Sequence, residues 1–312
     1  MNLKALVKIL LSLALIVIIL QIIDTQKFIK TLLTIPSYTV LLVVTGYILG
    51  QMLSTYKWLL IARAGGINTT YKNALKSYFI GMFVNCFGLG IVGGDLARGI
   101  LISSGQGKKT QAVASVVADR AHGLAVLATI GTISAIIFGQ NFSHSNLLPF
   151  IIALGVTIII GWFVGPRILL RVVPPTNKLR RIAEGVANAF PTDPKTVISI
   201  TILSIMFHLL QIGLHWIMGV GLGISINFSL LLITIPFINI ACSLPFSWNG
   251  LGVREFGYIF FLTPDPLVKE QALAFGALWL LSTTISSLIG GIVAVVTKNF
   301  NISQRAELAK QN

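Results

Sequence analysis

The sequence predicts an all-α protein that crosses a membrane several times, and three observations carry that prediction. Hydrophobic residues make up 55% of the 312 and charged residues only 10%, whereas a soluble domain carries about 25% charged residues. Mean hydropathy is +0.88, and apolar runs recur at the roughly 20 residues that a helix needs to cross the hydrocarbon core. The runs are continuous, not the alternating segments of about 10 residues that build a membrane barrel. Backbone groups in lipid must be satisfied within the segment, so continuous runs read as helices.

Six runs reach spanning length: residues 6–23, 38–62, 112–138, 147–170, 196–222 and 271–297. Lys4 and Lys8 give the first run the look of a signal peptide. No small-residue cleavage site follows, because the chain continues Asp24-Thr25-Gln26-Lys27, so the run is expected to stay as a span. Two further runs, 77–103 and 228–262, are interrupted by glycine, charge or proline. The net charge of +14 sits in short loops between apolar runs, which fits the positive-inside rule and anionic headgroups and argues against nucleic acid. Cys86 and Cys242 lie inside apolar segments and give no redox information.

Loop charges set the expected topology. Arg63, Lys72 and Lys76, then Lys108 and Lys109, then Arg167, Arg171, Lys178, Arg180, Arg181 and Lys195, and finally Lys298, Arg305 and Lys310 all belong on the cytoplasmic side. Loops 139–146 and 223–227 hold no lysine or arginine and belong outside. The segment 77–103 is then flanked by cytoplasmic charge on both sides and should enter and return as a re-entrant hairpin. Segment 228–262 should do the same from the outside. Each half, 1–146 and 147–312, thus holds three spans and one broken hairpin within a single membrane domain. An odd number of spans inverts the second half, the inverted-repeat plan of many transporters. A shift of half the chain length superposes Cys86 on Cys242, Gly94 on Gly250 and Arg98 on Arg254. The competing reading is eight ordinary spans with incidental glycines.

The broken segments carry the candidate chemistry. Asp95 at the start of a second half-helix suits the positive end of the helix dipole, as would a bound phosphate. Arg98 and Arg254 are the natural phosphate ligands, since a guanidinium binds oxygens bidentately and stays charged. Asn249 lies in the second break, and Arg254-Glu255 follows it. The alternative is that Asp95–Arg98 and Arg254–Glu255 are local structural pairs. In the span 112–138, Ser115, Asp119 and His122 share a face, with Arg120 beside them. Asp95, Arg98, Asp119, Arg120, Arg254 and Glu255 together would cost on the order of 15–20 kcal/mol if exposed to lipid, so they must pair or line a wet cavity. Ser204, His208, Gln211 and His215 form a stripe that should face the bundle interior. His122, His208 and His215 are candidates for a proton relay or for plain interhelical hydrogen bonds. No metal or cofactor site is expected: there is no HExxH, no P-loop lysine and no four-ligand Cys/His cluster.

Three motifs in order, Gly93-Gly94-Asp95-Leu96-Ala97-Arg98, Asp119-Arg120 with Gly123, and Leu244-Pro245 with Gly250-Leu251-Gly252-Val253-Arg254-Glu255, resemble the lysylphosphatidylglycerol synthase transmembrane region family of flippase-like domains. The resemblance covers nearly the whole chain. In the multiple peptide resistance factor such a domain moves aminoacylated phosphatidylglycerol across the membrane, and a separate soluble domain makes that lipid. The soluble domain is missing here, so lipid aminoacylation is not expected. The proline common ahead of the first Gly-Gly-Asp motif is also missing, leaving Gly88 and Gly90 to break the helix.

The resemblance implies translocation of a polar or anionic phospholipid, or a polyprenyl lipid, across the bacterial inner membrane, and the loop charges place both termini in the cytoplasm. Arg98 and Arg254 would hold the headgroup in a cavity between the hairpins, with Asp95, Asp119, Glu255, Arg120 and Asn249 around them. The alternatives are a membrane-embedded enzyme acting on a headgroup, and a non-catalytic partner of a separately encoded lipid-modifying enzyme.

Overall fold

A computed structural model describes residue 21 and residues 24–297, apart from 89, 143, 177–179, 245, 246, 248 and 264–266. The first expected span, 6–23, lies outside the described residues except for residue 21, and so does the expected helix-breaker Pro245. No strand occurs among the described residues. The protein is an all-α, multi-pass membrane protein, and among the described residues five helices are long and apolar enough to cross a bilayer.

The described segment from residue 24 opens with a short surface helix, α1 (Thr25–Thr34), capped by the Asp24 carboxylate on the Gln26 and Lys27 amides. It continues through α2 (Ser37–Ala64), α3 (Tyr71–Phe87), α4 (Gly90–Ile102) and α5 (Lys109–Phe138). Two 3-10 turns then lead into α6 (Leu148–Val172), followed by the short α7 (Arg180–Asn188). The last four are α8 (Pro194–Gly221), α9 (Phe228–Ser243), α10 (Val253–Leu262) and α11 (Lys269–Val296). The long helices α2, α5, α6, α8 and α11 match five of the six expected spans.

The two interrupted runs are helix pairs folded back on themselves. Gly81 of α3 lies against Gly94 and Arg98 of α4, and Asn85 meets Gly94 nearer the bend. The bend falls where Gly88 ends α3 and Gly90 takes φ +69°, a conformation that only glycine adopts without strain. In the second pair Gly257 of α10 packs on Ile238 of α9, and Gly250 packs on Cys242. Its bend passes through Asn249, Gly250 and Gly252 at φ 52°, 78° and 81°.

Long helices approach closely where glycines remove side chains, the usual device in lipid, where apolar surface alone gives no drive to associate. A Cβ on Gly46 would sit 2.5 Å from Leu214, on Gly50 2.6 Å from Gln211, and on Gly221 2.5 Å from Thr39. These contacts show α2 and α8 running antiparallel. The main core gathers at this seam and at α9–α11, around Tyr47, Met218, Tyr258, Phe275 and Trp279. Leu41, Leu49, Ile136, Phe163, Ile292 and Val295 stay exposed on the outer faces, as side chains meeting lipid would.

A shift of 156 residues, half the chain, carries α2 onto 193–220, α3 onto 227–243 and α5 onto 265–294. The observed α8, α9 and α11 begin at Pro194, Phe228 and Lys269. The packing follows the same exchange. Helix α3 lies on α11 and α9 on α5; α4 lies on α5 and α10 on α11; α2 touches α11 and α8 touches α5.

Candidate functional site

The first folded-back pair delivers Arg98 to the middle of an ion-pair chain. Its Nη1 and Nη2 each donate to Asp119 Oδ2 at 3.1 Å, and its Nε donates to Asp95 Oδ1 at 3.2 Å. Arg120 Nε donates to the other oxygen of Asp95. At the far end, Lys57 Nζ is 2.9 Å from Asp119 Oδ1 and also donates to the Asp119 carbonyl at 3.1 Å. The Arg98 guanidinium lies over the rings of Trp58 and Tyr78, at 4.8 and 4.9 Å. Trp58 is held by its indole N–H to Ser115 Oγ, and Tyr78 by its hydroxyl to Ser54. Every nitrogen of Arg98 is therefore engaged, and the side chain is buried. Four helices meet at this chain: α2, α3, α4 and α5.

Arg254 sits differently. No carboxylate among the described residues lies within ion-pair distance of it, and its buried Nε has no hydrogen-bond partner there. Its neighbour Glu255 turns away: the carboxylate accepts from the Gly252 amide at 2.6 Å and caps α10. The Glu255 side chain packs against Gly276 of α11, where a Cβ would come within 2.7 Å of Glu255 Cγ.

Between the two folded-back pairs lies a cavity of about 260 Å³. Arg98, Arg120, Asp95, Arg254 and Asn249 line it, together with the carboxamides of Gln51, Asn85, Gln211 and Asn239 and the rings of Tyr47, Tyr78 and Trp279. Asp119 stands one layer behind, on the far side of Arg98. Of the histidines, His208 lines the cavity and its Nε2 meets the Gly123 carbonyl at 3.0 Å. His215 is held at both nitrogens, by the Gln211 carbonyl and the Tyr258 hydroxyl at 2.7 Å each, and stacks on Trp279. His122 bonds Thr201 at 3.1 Å and meets the edge of Trp162. No hydrogen bond joins one of these three histidines to another among the described residues.

Residues 5–291 match the family described as the lysylphosphatidylglycerol synthase TM region. The chain belongs to that family. No individual curated protein matches it. Membership ties the chain to lipid modification or flipping and leaves open which lipid and which act. The three motifs of the family resemblance fall on the two folded-back pairs and on α5. Lys57, the fifth charge of the chain, lies outside all of them. So do Gln51, Asn85 and Asn239. For Lys57 a signal was present, since an ionisable residue inside an apolar run is a candidate functional residue by default.

Proposed function

We propose that the protein translocates a polar lipid across the bacterial inner membrane, its headgroup crossing through the cavity between the two folded-back pairs while the acyl chains stay in lipid. The observation that carries this reading is the cavity itself. It is polar, sits inside an otherwise apolar bundle, and is lined by one arginine from each pair. Its volume lies just below the roughly 300–1,000 Å³ of small-molecule pockets, which suits a headgroup and not a whole lipid.

Element lengths support the reading. At 1.5 Å per residue, the 17, 13, 16 and 10 residues of α3, α4, α9 and α10 rise only about 26, 20, 24 and 15 Å. None reaches the roughly 30 Å of the hydrocarbon core, so in this reading each pair enters and returns as a re-entrant hairpin. The antiparallel course of α2 and α8, which correspond under the half-length shift, supports inverted repeats with the two hairpins entering from opposite faces and both chain ends in the cytoplasm. Among the described residues the one carboxylate in the cavity, Asp95, is clamped between two arginines.

The test is reconstitution into liposomes with headgroup-labelled lipids, reading label accessibility across the bilayer. Acceleration for at least one polar lipid over protein-free vesicles is expected, with loss in Arg254→Ala. No acceleration for any anionic, aminoacylated or polyprenyl lipid sinks the reading.

A further inference from the structure

The half-length correspondence makes the cavity's charge legible residue by residue. Arg98 corresponds to Arg254, but its two carboxylate partners do not recur: Asp95 corresponds to Leu251, and Asp119 to Phe275. Phe275 is fully buried and packs its ring against Tyr258 and His215. One arginine is thus locked by carboxylates, and its counterpart in the second half has none. Three arginines face the cavity against one carboxylate, a formal excess of two positive charges, while Lys57 and Asp119 cancel behind them. An ion in an apolar interior costs several kcal/mol unless it is paired, so the excess calls for an anion.

The unpaired arginine narrows the choice. Arg254 lines the cavity, and its buried Nε lacks a hydrogen-bond partner among the described residues. A phosphate, which only accepts, answers that guanidinium. An ammonium would enter a site already two charges positive.

We propose that the cavity is selective for a phosphate-bearing headgroup that carries no amine, with its phosphate seated on Arg254. This deepens the translocation reading by naming its substrate class, yet binding can be measured whether or not anything is moved.

The experiment is native mass spectrometry of the purified full-length protein offered equimolar phosphatidylglycerol and lysylphosphatidylglycerol, which share a glycerol phosphate and differ by a lysine esterified to a glycerol hydroxyl. Phosphatidylglycerol is expected to be retained at least about tenfold more, a preference that should fall toward unity in Arg254→Gln. If that variant folds poorly, Leu251→Asp restores the missing carboxylate three residues from Arg254 and should erase the preference while keeping the arginine. Equal retention, or a preference for the lysyl lipid, overturns the proposal; so does an unchanged ratio in a folded variant. Glycerol phosphate, added as a soluble competitor, separates the sources. Failure to displace the lipid supports a lipid headgroup; full displacement supports the binding chemistry and overturns the lipid as ligand. Selective retention without flipping in liposomes would sink the translocation reading and leave this one standing.

Discussion

The two arginines differ in what their removal should do. Taking away Arg98 leaves Asp119 with Lys57 alone and Asp95 with Arg120 alone, and breaking a buried ion pair from one side costs about 3–5 kcal/mol. Arg98→Met is therefore expected to lower the thermal midpoint in detergent sharply. Removing Arg254 deletes a charge with no carboxylate partner among the described residues, so Arg254→Gln should leave that midpoint unchanged or raise it. A large loss in Arg254→Gln, read by the same melt, would mean that the cation is paired after all. Lys57 and Asp119 should be coupled: a double-mutant cycle with Lys57→Met and Asp119→Asn is expected to show about 1–3 kcal/mol of interaction. Lys57 escaped notice in the sequence because it sits near the end of an apolar run. A lysine there ordinarily extends its ammonium to the interface, and the partner that holds it inward is 62 residues away. Arg98 and Asp119 were legible as polar residues in apolar segments, but that one would saturate the other was not. The carboxamides of Gln51, Asn85, Gln211 and Asn239 come from four helices and look ordinary singly; only the fold brings them to one wall.

Helices were legible wherever length alone decides. A run of more than 20 apolar residues has few alternatives in lipid, and α2, α5, α6, α8 and α11 fall where the runs lie. The bends were legible too, because glycine clusters announce them. How closely the elements approach was not, since that depends on which glycine faces a neighbour. Gly290 of α11 is such a case: a Cβ there would lie 1.9 Å from the backbone oxygen of Phe79 in α3. A backbone atom cannot swing aside, so Gly290→Ala should cost about 1–3 kcal/mol and loosen α3 from α11. Gly94→Ala faces the Gly81 carbonyl at 2.2 Å and should separate α3 from α4, carrying Arg98 away from Asp119. Gly161 meets nothing within 4 Å, so Gly161→Ala is the matched control. Equal melting points for Gly290→Ala and Gly161→Ala would show that the close approach does not matter for stability.

At the scale of the whole molecule, the correspondence between halves was visible in the sequence only as three identities. Helix bounds extend it to α2 with α8, α3 with α9 and α5 with α11, and packing adds α4 with α10. Under the proposed repeat, side chains diverge while the backbone plan does not, because lipid constrains length and hydropathy far more tightly than identity. The α2–α8 seam then fixes the mechanics. Its backbones are brought together by Gly46, Gly50 and Gly221, so there is little slack for one helix to slide or tilt on the other. The proposed translocation exposes the cavity to each side in turn and so needs a fulcrum, and this close-packed seam is the place for it. Spin labels straddling α2 and α8 should hold one narrow distance while lipid is being moved. Labels placed on the two hairpin bends should spread into two populations, like the jaws of a clothes-peg opening about its spring.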